Sequence, residues 1–575
     1  RIVRLVREGC PIDRMLVVTF TNAAAGEMRL RIGEALGKAA REEPALGEQL
    51  MALPRASIST LHRFCGNLLR ENFQALGIDP GFRIGDEQEC GVLSRQAMED
   101  AIYSCYEVGS DAFLAADRCY AQEELGELAF SLHRFMMTRP DPWAFLERAQ
   151  KDVRIDGQTL EASPAAELLA QSARKRLLKL AEAARRTLGI CLGENGPAHY
   201  AAACETDVHL AEDLAKQAEM GYTALHIATH NLSFAALGRK KKSDIFDETL
   251  ADSVKVRRDA FKKAIGDVQT AFALNPDDAA ADIEMTAAPL DGLAELVKTY
   301  DTLYAAAKKQ RGLLDFNDLE HGALKALALP DVRDALNKRY RYVFIDEYQD
   351  SSAIQEAIIG SFAREDGLFL VGDVKQSIYR FRQAEPTLFL EKAKRFDLEE
   401  RTFERRIDLQ KNFRSRANAL EAANAVFSRI MREDETEIEY DEREKLFCGL
   451  PAREDDPPVE LHILYQGADE DDGDEDENRR EWAAVEREAQ VVARRIRELV
   501  GTMFYDAKTD SERPIRYRDI VILMRAARGS APLAADVLGA EGIPVFCDAG
   551  DGYFDIPEIR AMMALLKNIE NGERD

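Results

Sequence analysis

Seven short apolar runs, rich in β-branched or aromatic residues and ending in polar ones, punctuate this chain. They are Met15 to Phe20 (MLVVTF), Ala56 to Ser59, Tyr342 to Ile345 (YVFI), Leu368 to Val371 (LFLV), Leu461 to Tyr465, Ile520 to Met524 (IVILM) and Ile543 to Phe546. Helical periodicity follows them, and a buried strand that feeds a helix is how a parallel α/β sheet reads. Between Asp86 and about Lys309 that texture vanishes. The interval is rich in Ala, Leu, Glu and Lys with apolar residues three to four apart, as in Ala165 to Ile190 and Leu290 to Ala307. The expectation is an α/β domain interrupted by a helical one and then resumed.

At about 150 residues per domain, 575 residues make room for roughly three to five domains. No run approaches the roughly 18 apolar residues that span a bilayer, so no membrane association is expected. Nine cysteines, with no CxxC pair, give neither a zinc ribbon nor a redox motif and suggest reduced, cytoplasmic thiols. The net charge of −26 speaks against a nucleic-acid partner until it is located. Glu433 to Glu477 holds 20 acidic and 3 basic residues, including the DEDDGDEDE run from Asp469. Residues 1 to 85 hold 12 basic and 9 acidic, and Gly372 to Arg416 hold 12 and 8. The bulk figure therefore describes one acidic stretch, and the objection does not extend to the rest.

Tyr342 to Asp350 (YVFIDEYQD) is the most informative segment. A buried strand delivers Asp346 and Glu347 to its C-terminal end, where open α/β sheets bind ligands. Adjacent carboxylates there can divide labour, Asp346 holding a nucleotide-bound Mg²⁺ and Glu347 deprotonating the attacking water. The bland alternative is an exposed acidic pair at a strand end. About 25 residues on, Phe369 to Pro386 (FLVGDVKQSIYRFRQAEP) ends another strand and sets Gln376, Tyr379, Phe381 and Arg382 close together. A neutral amide can sense a γ-phosphate, and aromatics beside arginines suit stacking on unpaired bases at roughly 1–3 kcal/mol per base. For the aromatics alone, core packing is the alternative.

These strings resemble the conserved boxes of UvrD-like superfamily 1 DNA helicases, most closely the AddA-type branch of bacterial helicase-nucleases. Leu16 to Ile32 resembles motif Ia, Ile58 to Cys65 motif Ib, Leu314 to His321 motif Ic, YVFIDEYQD motif II, VGDVKQSIYRFRQAEP motif III and Leu409 to Arg416 motif IV. The DVKQS form at Asp373 and the DPGFRIGDE string at Asp79 resemble the AddA branch more than repair helicases. The resemblance implies two RecA-like P-loop motor domains with parallel sheets, the first carrying a large helical insertion. It implies residues 1–85 and 310–398 as the first motor, 86–309 as the insertion, 399–560 as an incomplete second motor and 561–575 as the start of a second insertion.

The resemblance also implies roles. Asp346 holds Mg²⁺, Glu347 is the base and Gln376 the γ-phosphate sensor; Phe413 stacks on the adenine of ATP and Arg414 supplies positive charge to its γ-phosphate. Thr21, Asn22, Thr60 and His62 line a single-strand track, and Tyr379, Phe381 and Arg382 form its base-stacking wall. His62 could equally be a satisfied core histidine. Leu61 stands where repair helicases often carry Phe, and Phe381 where they carry Trp, which alters the stacking surface. The implied activity is 3′-to-5′ ATP-dependent translocation on DNA at double-strand-break ends, in a heterodimer with an AddB-type nuclease and with a nuclease domain in the full protein.

No GxxxxGK[ST] occurs in the sequence, and the nearest strings, at Gly37 and at Gly238 to Ser243, lack the glycine spacing. Together with a first residue Arg1 and the missing motifs V and VI, this is expected of an internal piece of a longer polypeptide, poor at ATP hydrolysis on its own. The rival readings are a stand-alone UvrD-like repair helicase and a non-catalytic single-stranded DNA-binding module.

Overall fold

The computed structural model describes the chain except residues 157–158, 231, 242–244, 397–403, 452, 454–455, 465–476, 507–508, 510, 525–528, 548–558, 560, 564 and 567–575, and the side chains of Arg382, 434–435 and 477–482. Most of the expected second insertion, 561–575, and of the DEDDGDEDE run thus lies outside the described residues. The strands are β1 (Met15–Thr19), β2 (Ser57–Thr60), β3 (Arg83–Ile84), β4 (Leu313–Leu314), β5 (Tyr342–Ile345), β6 (Leu368–Leu370), β7 (Lys411–Asn412), β8 (Phe447–Cys448), β9 (Met503–Asp506) and β10 (Ser511–Pro514). Two compact units share them: Arg1–Leu409 with Arg432–Glu439, and Gln410–Met431 with Tyr440–Asp575.

In the first unit, β2, β1, β5 and β6 form a parallel sheet in that order, with Leu16 opposite both Ser57 and Val343, and Val343 opposite Leu368. All five residues of β1 are buried, which is why it reads as a continuous apolar run. Its alternate side chains go to opposite faces. Leu16 and Val18 pack with Leu61, Phe64, Leu319 and Ile354, while Met15 and Val17 pack with Ile32, Leu36 and Ile58. Helices therefore cover both faces, and the strands' C-terminal ends are left to carry the site.

Chain entry to and exit from the helical interval are pinned by β3 and β4, which pair in parallel. Between them, among the described residues, lie helices and no strand. They enclose two large cores, one around Phe113, Met136, Leu146, Val297 and Tyr300, the other around Leu177, Val208, Leu225, Phe261 and Phe272, and a small cluster of Cys191, Cys204 and Val254. In the second core, Ala166, Ala170, Ala173, Ala181 and Ala184 of the helix Pro164–Leu192 bury a small-residue stripe beside the helix Ala201–Glu219, and Ser163 caps its start. Polar contacts fasten these helices to the sheet domain. Lys308 Nζ lies 2.7 Å from Asp315 and 2.6 Å from Asp318; Ile354 N–H donates to Thr138 O (3.0 Å); Arg139 Nη1 meets Glu385 Oε2 at 3.1 Å.

The second unit holds the parallel pair β7 and β8, the antiparallel pair β9 and β10, and the helices Ala417–Ile430, Glu477–Leu499 and Ser530–Ala540. Here three expected strands do not form. The described residues of 461–465, 520–524 and 543–546 carry no strand, and Leu461, Leu523 and Phe546 are 84–90% exposed. A strand needs a lateral partner, and these runs have β propensity without one. Among the described residues no helix is long and apolar enough to cross a membrane.

Candidate nucleotide and nucleic-acid site

The sheet registers β5 and β6 so that Asp346, Glu347 and Gly372 emerge side by side. Val371 N–H donates to Ile345 O (2.9 Å), Tyr348 N–H to Val371 O (2.9 Å) and Asp346 N–H to Val18 O (3.0 Å). Glu347 then turns the chain with φ +53°, ψ +44°. A left-handed conformation at a non-glycine residue is the kind of backbone strain that surrounding structure must hold in place.

What holds it is Gln349, 1% exposed, which sequence reasoning missed. Its Nε2 donates to Glu347 Oε2 (2.8 Å), while its Oε1 accepts from Asp373 N–H (3.0 Å). Asp373 in turn accepts from Gln376 Nε2 (3.0 Å) and pairs with Lys375 (2.8 Å). The structure thus brings Glu347 and Gln376 onto one hydrogen-bonded chain across two strand ends. Gly372 makes it possible: a Cβ there would sit 2.5 Å from Gln349 Oε1. The only sequence sign of Gln349 was its place two residues after Glu347, since a buried amide reveals its partners only in three dimensions.

Burial, and then the neighbouring charge of Glu347, push the carboxyls of Asp346 and Asp350 above the usual aspartate range. Asp350 Oδ1, Ser352 Oγ and Ser377 Oγ are buried without a hydrogen-bond partner. Among the described residues no cluster of three or more His, Cys, Asp or Glu could hold a metal alone. The unpartnered oxygens suit a nucleotide-borne Mg²⁺, which takes one or two carboxylates and completes its shell with phosphate oxygens and water. Asp346, with its raised pKa, is the carboxyl that such a cation would relieve.

The proposed single-strand residues gather on the same edge. Phe20 stacks on Tyr379 at 4.8 Å, and Tyr379 meets Phe381 at 5.9 Å. Phe381 is 69% exposed, so core packing does not explain it. Phe20, assigned to a strand in the sequence reading, instead joins this wall just past β1. Arg382 has its side chain outside the described residues. Thr21 caps the helix Asn22–Glu42 and Thr60 caps Leu61–Glu71, each by its hydroxyl, which sets Asn22 and His62 in first helical turns. His62 is neither core nor free. Its Nε2 lies 3.1 Å from the buried Glu320, whose Oε1 also accepts from Gln355 (2.8 Å), and its ring rests on the exposed Phe316 (4.4 Å). Leu61, beside it, is buried.

Phe413 and Arg414 lie in the second unit. Asn412 Oδ1 accepts from Arg414 N–H and Ser415 N–H, both 2.8 Å, forming the turn that presents them. The ring of Phe413, 67% exposed, lies across Gly449, where any Cβ would approach it within 2.5 Å.

A family model described as the UvrD/REP helicase N-terminal domain matches residues 1–397, and one described as the UvrD-like helicase C-terminal domain matches 407–575. The chain is similar to proteins named as a subunit of an ATP-dependent helicase/nuclease. It is 36% identical to that of Syntrophomonas wolfei, over 100% of this chain and 50% of that protein. It is 36% identical to that of Alkaliphilus oremlandii (100% and 49%) and 38% identical to that of Geobacillus kaustophilus (98% and 47%). The chain spans about half the length of the curated relatives it matches.

Proposed function

The chain belongs to the UvrD/REP helicase family, and from that premise we propose that it is the motor portion of an ATP-dependent DNA helicase whose full protein works as a helicase-nuclease in DNA repair. The observation that carries this reading is the hydrogen-bonded chain Glu347, Gln349, Asp373, Gln376, which continues within a few residues into the stack of Tyr379 and Phe381. One short segment thereby links the group proposed to sense the γ-phosphate to the wall proposed to stack unpaired bases.

In this reading Asp346 would hold Mg²⁺, which would supply charge neutralisation at the phosphates of ATP. Glu347, oriented by Gln349, takes the proton of the attacking water. Gln376 reports the γ-phosphate by hydrogen bonding. Phe413 stacks on the adenine, and Arg414 offers positive charge to the γ-phosphate. Thr21, Asn22, Thr60 and His62 carry the strand, and Tyr379, Phe381 and Arg382 stack its bases. Residues 1–85 and 310–398 form the first motor, 86–309 its insertion, 399–560 the second motor, and 561–575 the start of a further insertion. The names of the relatives support a partner in the same assembly, for which we propose an AddB-type nuclease. Translocation from 3′ to 5′ and work at double-strand-break ends follow from family resemblance.

The test is single-strand-stimulated ATP hydrolysis by the full protein. Glu347→Gln is expected to keep ATP and DNA binding while lowering turnover by at least ~10²-fold, the usual scale for a lost general base. Unimpaired turnover would show that Glu347 is not the base. The second reading is a DNA-binding module without turnover of its own. Robust hydrolysis by the full protein excludes it.

A further inference from the structure

We propose that a groove along the outer edge of β2 is a phosphate-binding continuation of the single-strand track, gripping the sugar-phosphate backbone beyond Thr60 and His62. The proposal rests on the nucleic-acid reading above and adds residues that it does not use.

β2 is the edge strand of the motor sheet. Beside it lies a cavity of about 260 Å³ whose lining carries four arginines, Arg29, Arg55, Arg63 and Arg339, against a single carboxylate, Glu71. Arg339 faces that carboxylate at 3.6 Å. Arg55 and Arg63 are exposed and make no ion pair among the described residues, in a chain whose net charge is −26. Guanidinium groups collected without counter-charges mark a place built for an anion, and their planar forks suit phosphate oxygens.

Three observations choose the anion. The edge cannot take a peptide strand, because Ile58 O already accepts from Arg29 (2.9 Å) and Ile58 N–H is spent on Ala56 O (3.0 Å). The volume falls below the roughly 300–1,000 Å³ of pockets that enclose a small molecule, so a phosphate carried on a chain fits better than a free nucleotide. The aromatic rings in the lining, Phe64 and Tyr340, are buried, leaving no exposed ring for a base to stack on. Contact is therefore to the backbone and indifferent to sequence. Chain order sets the groove beside the proposed track: Ser59 and Arg63 line it, and Thr60 and His62 lie between them in the sequence.

The test measures binding of fluorescent oligothymidylates of increasing length to the 575-residue chain by anisotropy, without nucleotide. The parent is expected to gain affinity with length beyond what the aromatic wall spans. Arg55→Gln/Arg63→Gln should bind the shortest oligomers like the parent, lose the gain of the longer ones by about tenfold, and show a log–log salt slope shallower by ~1.4, two phosphate contacts at ~0.7 each. Tyr379→Ala should lose affinity at every length. If the double variant keeps the parent's length dependence and salt slope while Tyr379→Ala is weakened, the groove is no part of the track and the proposal falls alone. If the parent binds no oligomer, the nucleic-acid reading itself fails. If the double variant loses only binding to polyglutamate, the groove serves an acidic protein segment, and the proposal is overturned.

Discussion

In the role proposed for it Asp346 is an anion in a place that disfavours one. Burial and the adjacent Glu347 raise its pKa, so the folded chain holds the proton more tightly than the unfolded chain does. The stability this group contributes is complete below the ordinary carboxylate pKa and is lost as pH rises through the folded value. Asp346→Asn removes that cost. It should therefore melt above the parent at pH 7–8, with the difference vanishing as pH falls to about 4, where unfolded aspartate is half protonated. A thermal melt against pH checks it, and equal melting temperatures at pH 8 would mean that Asp346 bears no such cost. Gln349 makes the converse case, a residue whose value lies in both ends of its amide. Gln349→Leu fills the space but unties Glu347 from Asp373, removing two part-buried hydrogen bonds at about 1 kcal/mol each. In the full protein it should cut turnover ten- to a hundredfold while leaving oligonucleotide binding within twofold, since the aromatic wall keeps its own stacking. Equal losses in both assays would show that Gln349 supports the fold and has no separate hold on the base.

Elements differ in how far their sequence announces them, and the reason is where their partners lie. β1 and β5 read directly as strands because both faces are covered, so that burial leaves a continuous apolar run. The helical interval reads as one because its apolar residues keep a helical period for over 200 residues. Its division into two large cores was not legible, because nothing in periodicity says which helix faces meet. The runs at 461–465, 520–524 and 543–546 read as strands and are not, because propensity is local while pairing is not. The site shows the same split. Asp346, Glu347, Gln376 and the aromatic pair stood out by their spacing, whereas Gln349, Glu320, Phe316 and Gly372 matter only through contacts across elements. Lys308 belongs to this second class. It is 5% exposed and lies between Asp315 and Asp318, which couples the last helix of the insertion to the cap of Phe316–Leu327. Removing one partner of a buried ionic cluster leaves uncompensated charge, typically at 3–5 kcal/mol. Lys308→Ala should lose about that much in chemical denaturation, with Arg311→Ala, exposed and outside the cluster, as the control. A loss below about 1 kcal/mol, the level of a surface pair, would mean the cluster is hydrated.

Taken as a whole, the chain is acidic while the partner proposed for it is a polyanion, and the two are reconciled by where the charge lies in the sequence. The acidic excess is concentrated between Glu433 and Glu477, whereas the stretches that carry the proposed strand contacts are mildly basic. At 0.15 M salt the field of an exposed charge is screened within about 8 Å, so only charges beside the strand weigh on affinity. At 0.01 M the screening length is about 30 Å, comparable to the size of a domain, so charges that do not touch the proposed track can also act on an approaching strand. The two regimes separate affinity from approach. Replacing the nine residues Asp469 to Glu477 by alternating Ser and Gly removes eight negative charges without touching a residue of the proposed track. Stopped-flow association of a labelled oligothymidylate should then accelerate several-fold at 0.01 M salt and stay within about 1.5-fold of the parent at 0.15 M, because long-range charge governs diffusional encounter and is silenced by salt. Dissociation should be unchanged at both, since departure is set by the stacked bases and the local guanidinium groups. An acceleration that persists undiminished at 0.15 M would place the acidic run against the track itself, as a direct competitor for it.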